Sequence, residues 1–335
     1  MIRVWFNHWF STAYNIINLL KKENLEITVI GSNQREQSII KNVCDEWYIE
    51  PVLDGISYID FCIHFCQERK IDVFIPRRNL VEISQYISRF QSIGVKVMVD
   101  RFDLIKNLNR KDYAYNLFKD NSMIHVPEFE VVKNKCEFEK AYEKLIKKYS
   151  GVCFKLVQDE GGMSFRKIDN SVQVTSTLLT YPSTKMSYES VMDVLNTESD
   201  FKERIIMPYL PGYEISVDCL RTEDGMIAVP RFKGSSRDEK VEFDQDILTM
   251  CYEILEKVPL EFPCNIQFKY LNDIPYFLEV NTRMSGGIQM SCLAAGVNIP
   301  DIAFNKLLGI RKPWKVNKES KIVSYIEIPK LIVNK

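Results

Sequence analysis

Two short segments concentrate the residues able to do chemistry. Asn265-Ile266-Gln267-Phe268 is followed by Phe277-Leu278-Glu279-Val280-Asn281-Thr282-Arg283, with a turn signal at Asn272-Asp273 between them. Side chains alternate across a strand, so Asn265 shares a face with Gln267, and Glu279 with Asn281 and Arg283. Pairing through the turn would bring Gln267 close to Glu279. One carboxylate and two amide oxygens are hard donors suited to Mg²⁺, which also keeps waters and takes phosphate oxygens. Arg283 beside them could clamp a phosphoryl or carboxylate group bidentately. The competing reading is an edge hairpin with its polar residues in water.

Three further elements carry similar chemistry. Ser285-Gly286-Gly287 precedes a helical pattern, where exposed backbone N–H groups attract anions; the plain alternative is a serine N-cap with turn glycines. Lys155 stands on an apolar run followed by Glu160-Gly161-Gly162-Met163-Ser164. Two glycines let backbone approach phosphate closely and move as a flap, with Lys155 as counter-charge, although most Gly-Gly pairs are turns. Lys111 is a further candidate cation, or a solvated lysine at a helix start. Finally, Ile205-Ile206-Met207-Pro208-Tyr209-Leu210 runs into Pro211-Gly212-Tyr213-Glu214. An apolar strand ending this way could form an adenine slot read by backbone groups at Met207, Tyr209 and Leu210, with Glu214 accepting from ribose hydroxyls. An ordinary β-turn with one surface acid is the alternative.

The elements that must position these residues change character along the chain. Apolar runs at Ile2–Phe6, Ile27–Ile30, Val73–Ile75 and Val95–Val99 alternate with helical spacings at Thr12–Leu20, Tyr58–Phe65 and Leu80–Phe90. Alternation of this kind predicts a parallel sheet covered by helices. Arg77-Arg78 would then lie at the carboxyl end of a parallel strand, where open α/β sheets bind ligands; a solvated basic pair is the alternative. Beyond residue 100 the pattern is mixed. Helices are predicted at Arg110–Lys119, Cys136–Tyr149, Asp244–Lys257, Ile288–Ala295 and Ile302–Leu308. Strands are predicted at Phe129–Val132, Val152–Val157, Ile205–Met207, Glu214–Leu220, Met226–Val229, Cys264–Tyr270, Tyr276–Val280 and Val323–Ile328. Ser171–Thr184, rich in Ser and Thr, reads as a loop.

Composition excludes several classes. The 335 residues carry 44 Lys and Arg against 45 Asp and Glu, a net charge of −1, which offers no electrostatic case for nucleic acid or an anionic membrane. No run of ~18 uncharged apolar residues predicts a membrane span. The start MIRVWFNHWFST lacks the features of a secretory signal. Nine cysteines without a regular framework, Cys62 and Cys66 among them in a helical core pattern, read as reduced thiols of a cytoplasmic protein. Three scattered histidines make a zinc site improbable. Neither G-x-G-x-x-G after the first strand nor a P-loop motif is present.

In their order, the elements resemble the ATP-grasp superfamily, and within it the group of the carbamoyl-phosphate synthase large subunit and biotin carboxylase. Asn109-Arg110-Lys111 through Val126-Pro127 looks like the family's Asp-Lys…Val-Pro segment. Phe154-Lys155 with Gly161-Gly162-Met163-Ser164 looks like its lysine strand and glycine flap, and Pro211-Gly212-Tyr213-Glu214-Ile215-Ser216-Val217-Asp218 like its Gly-x-Glu-x-Ser-Val-Asp stretch. Asn265-Ile266-Gln267 and Glu279-Val280-Asn281-Thr282-Arg283 resemble its metal-binding strands. Pro208 departs from the acid that many relatives carry before Tyr-Leu.

The resemblance implies an α/β N-terminal parallel-sheet (pre-ATP-grasp) domain, residues 1–100, followed by an α+β ATP-grasp fold with antiparallel sheets. The latter would divide into a lid subdomain with its linker helix, 101–206, and a large C-terminal subdomain, 207–335. It implies ATP, and Mg²⁺ (or Mn²⁺) on Gln267, Glu279 and Asn281. Lys111, Lys155, Gly161, Gly162, Met163, Ser164, Met207, Tyr209, Leu210, Glu214 and Gln267 would bind nucleotide. Arg283 and Arg231 would be catalytic, Lys233 less so. The implied reaction phosphorylates a small carboxylate to an acylphosphate that an amine attacks. Alternatives are a bicarbonate-phosphorylating enzyme and a non-catalytic ATP-binding regulator. Relatives are often dimers, so a homodimer is a possible assembly.

Overall fold

The alternating apolar runs of the first hundred residues pair side by side in the computed structural model, which describes residues 1–7, 11–23, 26–159, 162–172, 183–234 and 237–333. Strands β1 (Ile2–Phe6), β2 (Ile27–Asn33), β3 (Glu46–Ile49), β4 (Val73–Ile75) and β5 (Lys96–Val97) form a parallel sheet in the order β3-β2-β1-β4-β5. Helices α1 (Thr12–Glu23), α2 (Gly55–Glu68), α3 (Leu80–Gln85), α4 (Ile87–Ser92) and α5 (Phe102–Leu108) accompany it. A parallel sheet is buried on both faces, and β1 shows it. Val4 and Phe6 enter one core with Ala13, Ile16, Ile17 and Leu20 of α1, and Trp5 enters the other with Tyr58, Ile59 and Cys62 of α2. Trp5 stacks on Phe74 at 4.0 Å between ring centroids. The single helix predicted over Leu80–Phe90 is two, broken at Tyr86; Ser84 Oγ donates back to the Val81 carbonyl at 2.7 Å, competing with the helical ladder.

The chain divides into two units. One comprises residues 1–106, 215–266 and 280–335, the other 107–214 and 267–279. In the second unit α6 (Lys111–Phe118) leads to β6 (Glu130–Val132), α7 (Lys135–Ile146), β7 (Val152–Leu156), β8 (Arg166–Ile168), β9 (Lys185–Met186), α8 (Tyr188–Thr197) and β10 (Arg204–Pro208). Its sheet runs β6-β10-β7-β8-β9, antiparallel except for the last pair. Phe138, Ala141 and Leu145 of α7 and Val191, Met192 and Leu195 of α8 cover Val152, Phe154 and Ile206. Part of the segment read as a Ser/Thr-rich loop, residues 173–182, lies outside the described residues.

The remaining elements are β11 (Glu214–Thr222), β12 (Gly225–Lys233), β13 (Asp238–Val241), α9 (Gln245–Lys257), β14 (Cys264–Leu271), β15 (Ile274–Asn281), α10 (Ile288–Ala295), α11 (Ile299–Leu308) and β16 (Lys321–Ser324). Their sheet has the order β15-β14-β11-β12-β13-β16. Asn272 and Asp273 join β14 to β15, both with positive φ, 50° and 60°, as a two-residue hairpin of this hand requires. All nine cysteines are free thiols; eight are buried, and Cys136 on α7 is exposed. No helix among the described residues is long and apolar enough to cross a membrane.

In the second unit the backbone at Gly212 lies against Tyr270, its N–H donating to the Tyr270 carbonyl at 3.0 Å. A Cβ there would stand 2.6 Å from Tyr270 Cβ and 2.7 Å from that oxygen. Gly212→Ala is therefore expected to cost about 1–3 kcal/mol as an overpacking change. A lowered urea midpoint at unchanged slope would report it.

Candidate functional site

Lys111 opens α6, and the helix start is clamped by Arg110, whose guanidinium donates to Asp112 (3.1 and 2.9 Å) and Glu203 (2.9 Å). The Lys111 N–H donates to the Val157 carbonyl at 3.2 Å, tying the helix to the end of β7. Its ammonium, on a residue only 5% exposed, donates to the Asp159 carbonyl at 3.0 Å and lies 3.7 Å from Glu279 Oε2. Lys155 stands on β7 opposite Ile205 of β10. Burial pushes its ammonium below the ordinary lysine value; Glu279 works against that shift and Lys111 adds to it. Two cations and a carboxylate thus share one pocket of charge within the second unit.

The loop after β7 closes on itself. Ser164 donates to Asp159 Oδ2 from N–H (2.8 Å) and from Oγ (2.5 Å), and its Oγ accepts from the Leu156 N–H at 2.9 Å. Gly162 sits at φ +67°, and Met163 is 75% exposed. Gly161 of the expected flap lies outside the described residues.

At the end of β10, Met207 is buried, and the Tyr115 hydroxyl donates to its sulfur at 3.8 Å. Tyr115 was not singled out by the sequence; burial, then the neighbouring Glu279, raises its phenol pKa. Tyr209 donates its N–H to the Gly151 carbonyl at 2.9 Å, and Lys167 and Lys269 approach its ring at 4.6 and 5.8 Å. Leu210 is buried, Glu214 is half-buried at the start of β11, and Gln267 is half-buried on β14 next to Phe268.

In the first unit Arg231 is 2% exposed, and all its side-chain nitrogens are engaged. Nε donates to Asp218 (3.2 Å) and Ser291 (2.9 Å), Nη2 to Ser216 (3.3 Å) and Ser285 (3.1 Å), and Nη1 to Glu239. Burial opposes the charged guanidinium, but Asp218 and Glu239 outweigh it and hold its pKa above the ordinary arginine value. Ser285 Oγ in turn accepts from the Gly287 N–H at 3.2 Å, and a methyl group at Gly287 would run into the guanidinium. Asn265, read as a companion of Gln267, is turned into this network, donating to Ser216 (3.0 Å), the Val217 carbonyl (3.2 Å) and Asp218 (3.0 Å). Asn281 closes β15. Arg283 follows, half-buried, with Nη1 3.4 Å from the Met284 carbonyl. Lys233 ends β12, half-buried.

Arg231→Met would leave Asp218 and Glu239 without their cation and is expected to cost about 3–5 kcal/mol in a denaturation curve. A loss below about 1 kcal/mol, the range of a surface ion pair, would show that the guanidinium does not neutralise them. Lys155→Met should act in the opposite sense. The depressed native pKa means the folded protein holds that proton less tightly than the unfolded chain. The penalty is therefore full below the folded pKa and fades as pH rises from there to the unfolded lysine value of about 10.4. The variant should melt above the native protein at neutral pH, and the gap should narrow towards that value.

Comparison with known proteins fits this geometry. A family described as "ATP-grasp in the biosynthetic pathway with Ter operon" matches residues 200–329. The arginine-specific carbamoyl phosphate synthase large chain of Geobacillus stearothermophilus is 22% identical over 312 residues, 90% of this chain, and this chain spans only 28% of that protein's length. The biotin carboxylase domain of Hydrogenobacter thermophilus 2-oxoglutarate carboxylase, solved with MgADP, ADP and bicarbonate, superposes with a TM-score of 0.71 at 15% identity, covering 96% of this chain and 73% of that one. N5-carboxyaminoimidazole synthetase of Staphylococcus aureus, solved with ADP, gives 0.72 at 14% identity, covering 97% and 82%. L-amino acid ligase of Bacillus licheniformis gives 0.65 at 12%, covering 92% and 74%. The chain has the ATP-grasp fold and, as its motifs imply, resembles the carbamoyl-phosphate synthase and biotin carboxylase group of that superfamily.

Proposed function

We propose that the protein is an ATP- and Mg²⁺-dependent, ADP-forming ligase that activates a small carboxylate as an acylphosphate and joins it to an amine. The observation that carries this reading is the grouping of Lys111 and Lys155 around Glu279, cations poised for phosphate beside a carboxylate poised for a metal ion. A carboxylate oxygen attacks the γ-phosphorus of ATP, and the bond from that phosphorus to the bridging oxygen breaks, releasing ADP. The amine nitrogen then attacks the acyl carbon, the carbon–oxygen bond to phosphate breaks, and nitrogen loses a proton as the amide forms.

In this reading Lys111 and Lys155 hold nucleotide phosphates, and the Gly161-Gly162-Met163-Ser164 loop covers them and excludes water. Met207, Tyr209 and Leu210 take the adenine. No described residue accepts the Leu210 N–H, which leaves it as the donor for a base edge. Pro208, lacking an N–H, ends its strand, so base reading falls to backbone groups on either side of it. Glu214 accepts from the ribose. Glu279, Gln267 and Asn281 offer hard oxygen donors that fit Mg²⁺, which when bound neutralises charge on the phosphates. Arg283 holds the acylphosphate. Arg231, with every nitrogen engaged, acts by fixing the Ser285–Gly287 turn. Residues 1–100, 101–206 and 207–335 serve as pre-ATP-grasp domain, lid and large subdomain of a cytoplasmic enzyme, with a homodimer as its assembly. The likeness to a carbamoyl phosphate synthase chain supports a second reading in which bicarbonate is the carboxylate.

ADP release from Mg-ATP tests both, with pools of amino acids, other carboxylic acids, amines and bicarbonate added in turn. Stimulation by a carboxylate with an amine is expected, and bicarbonate alone would favour the second reading. Glu279→Gln should abolish the stimulated turnover while nucleotide binding persists, weakened. Unchanged turnover would remove Glu279 from the metal site. Stimulation by no pool, with ATP still bound, would favour a nucleotide-binding regulator.

A further inference from the structure

The sheet β15-β14-β11-β12-β13-β16 ends on β16, which pairs antiparallel with β13. In such a pair alternate residues turn their N–H and C=O groups to the partner, so half of the backbone groups of β16 point away from β13. Among the described residues no further strand pairs there. An edge of this kind is a template for another strand, and proteins commonly blunt it with charge, proline or a covering segment.

Here the edge and the chain that follows it are apolar. Between residues 322 and 333 seven large apolar side chains are exposed, Ile322 (75%), Ile326 (79%), Ile328 (64%) and Leu331 (92%) most of all. The next such cluster among the described residues, Ile49, Val52 and Ile56, has three. A concentration like this marks an interaction surface. The segment is also held at both ends. β16 anchors one side. On the other, Asn42 donates to the Leu331 carbonyl at 2.7 Å and accepts the Val333 N–H at 3.1 Å, and the Lys330 ammonium donates to the Tyr14 hydroxyl at 2.5 Å. A segment already held loses less freedom when it pairs.

The sequence of the segment says what it fits. In a closed dimer one patch meets itself about a two-fold axis. Two copies of one strand that extend a sheet antiparallel are related by an axis perpendicular to the sheet, and residues directly opposite share a face. The axis must then pass through a residue and not between two. With Ser324 on the axis, Lys321 meets Glu327, Ile322 meets Ile326, and Val323 meets Tyr325. Opposite charges then close both ends of a run of apolar pairs. Moving the axis to Val323 sets Glu319 against Glu327, and like charges directly opposite destabilise a sheet. Moving it to Tyr325 sets Val323 against Glu327. The ammonium of Lys321 is positioned by its donation to the Ala294 carbonyl at 3.0 Å. Glu327 is paired with Arg237 at 2.9 Å, but both are largely exposed, and a surface pair of that kind is weak enough to rearrange.

We propose that the chain forms a two-fold homodimer by antiparallel pairing of residues 321–327 with the same residues of a second copy, with Ser324 on the axis. This gives a surface to the assembly named above and rests on no part of the ligase chemistry, since association is measured without nucleotide.

Sedimentation velocity of the nucleotide-free 335-residue chain, from about 1 to 100 µM, tests it, because a small interface of this class dissociates in the micromolar range. A dimer is expected. Ile322→Lys with Ile326→Lys places four ammonium groups around the axis. Both side chains are at least 75% exposed, so the fold should persist, as a melting curve would establish, and the dimer dissociation constant should rise at least about tenfold. Crosslinking in a Cys136→Ser background, which removes the exposed native thiol, reads the register. Opposite residues have Cα atoms about 4.5–5.5 Å apart, within disulfide reach, so Ser324→Cys should oxidise in air to a reducible dimer. Ile328→Cys, whose symmetry mate would lie about 27 Å along the strand, should not. A monomer at about 100 µM would overturn the proposal and remove the homodimer from the reading above. An undiminished dimer in the lysine variant, or crosslinking of Ser324→Cys no faster than that of Ile328→Cys, would overturn this surface and leave the dimer to another face. After any of these results the ligase chemistry still stands or falls by ADP release.

Discussion

A cation withdrawn from water is best kept beside a carboxylate, and three groupings among the described residues do this in three different proportions. Arg231 is held by two carboxylates, Asp218 and Glu239, with serine hydroxyls taking its other donors. Arg78 is matched by one, Glu50. Lys111 and Lys155 share Glu279, while the nearby Asp159 carboxylate is turned to Ser164. The proportions separate roles. A cation with an excess of acid has nothing left to offer a ligand, and its energetic effect is to lock the elements that meet on it. Two cations side by side are expensive to keep together, and an anion that arrives between them recovers the cost. The grouping least favourable to the fold is for that reason the one best suited to polyphosphate.

The elements around these groupings are built to resist movement. Arg110 clamps the start of α6, Ser164 ties the loop after β7 back to its strand, and Gly212 allows β11 to begin in backbone contact with Tyr270. Each fixes a segment next to a charged side chain instead of adding apolar area. Phosphoryl transfer depends mainly on positioning and electrostatics, with little covalent work for the protein, and supports of this kind are what such chemistry asks of a scaffold.

Much of this could be read in the sequence because the signals are local. Positions 13, 16, 17 and 20 mark one face of α1, and Asn272-Asp273 marks a hairpin that its positive φ angles bear out. The parallel sheet followed by antiparallel sheets was legible from the change in pattern near residue 100. What escaped was non-local. β13 carries Asp238, Glu239 and Lys240 with a single buried residue, Val241, so nothing in its pattern announces a strand; its pairing with β12 and β16 makes it one. Helix α8 follows a Ser/Thr-rich segment, and Ser187, which looks like more of the same loop, is its N-cap, accepting from the Ser190 N–H. The candidate lysines, Lys111 and Lys155, were visible by type. The state of Arg231 was not, since its partners come from positions 216, 218, 239, 285 and 291, and spacing along the chain carries no trace of such a convergence.

The cysteines have a practical consequence. Eight thiols are packed into the interior, and burial drives up the pKa values of Cys153 and Cys292 among them, to about 12 for both. Cys136, near the start of α7, alone faces solvent. The native chain therefore carries one intrinsic attachment point for a thiol-reactive fluorophore. It lies on the helix that covers β7, the strand bearing Lys155, so a dye placed there would report on that subdomain without any engineered substitution.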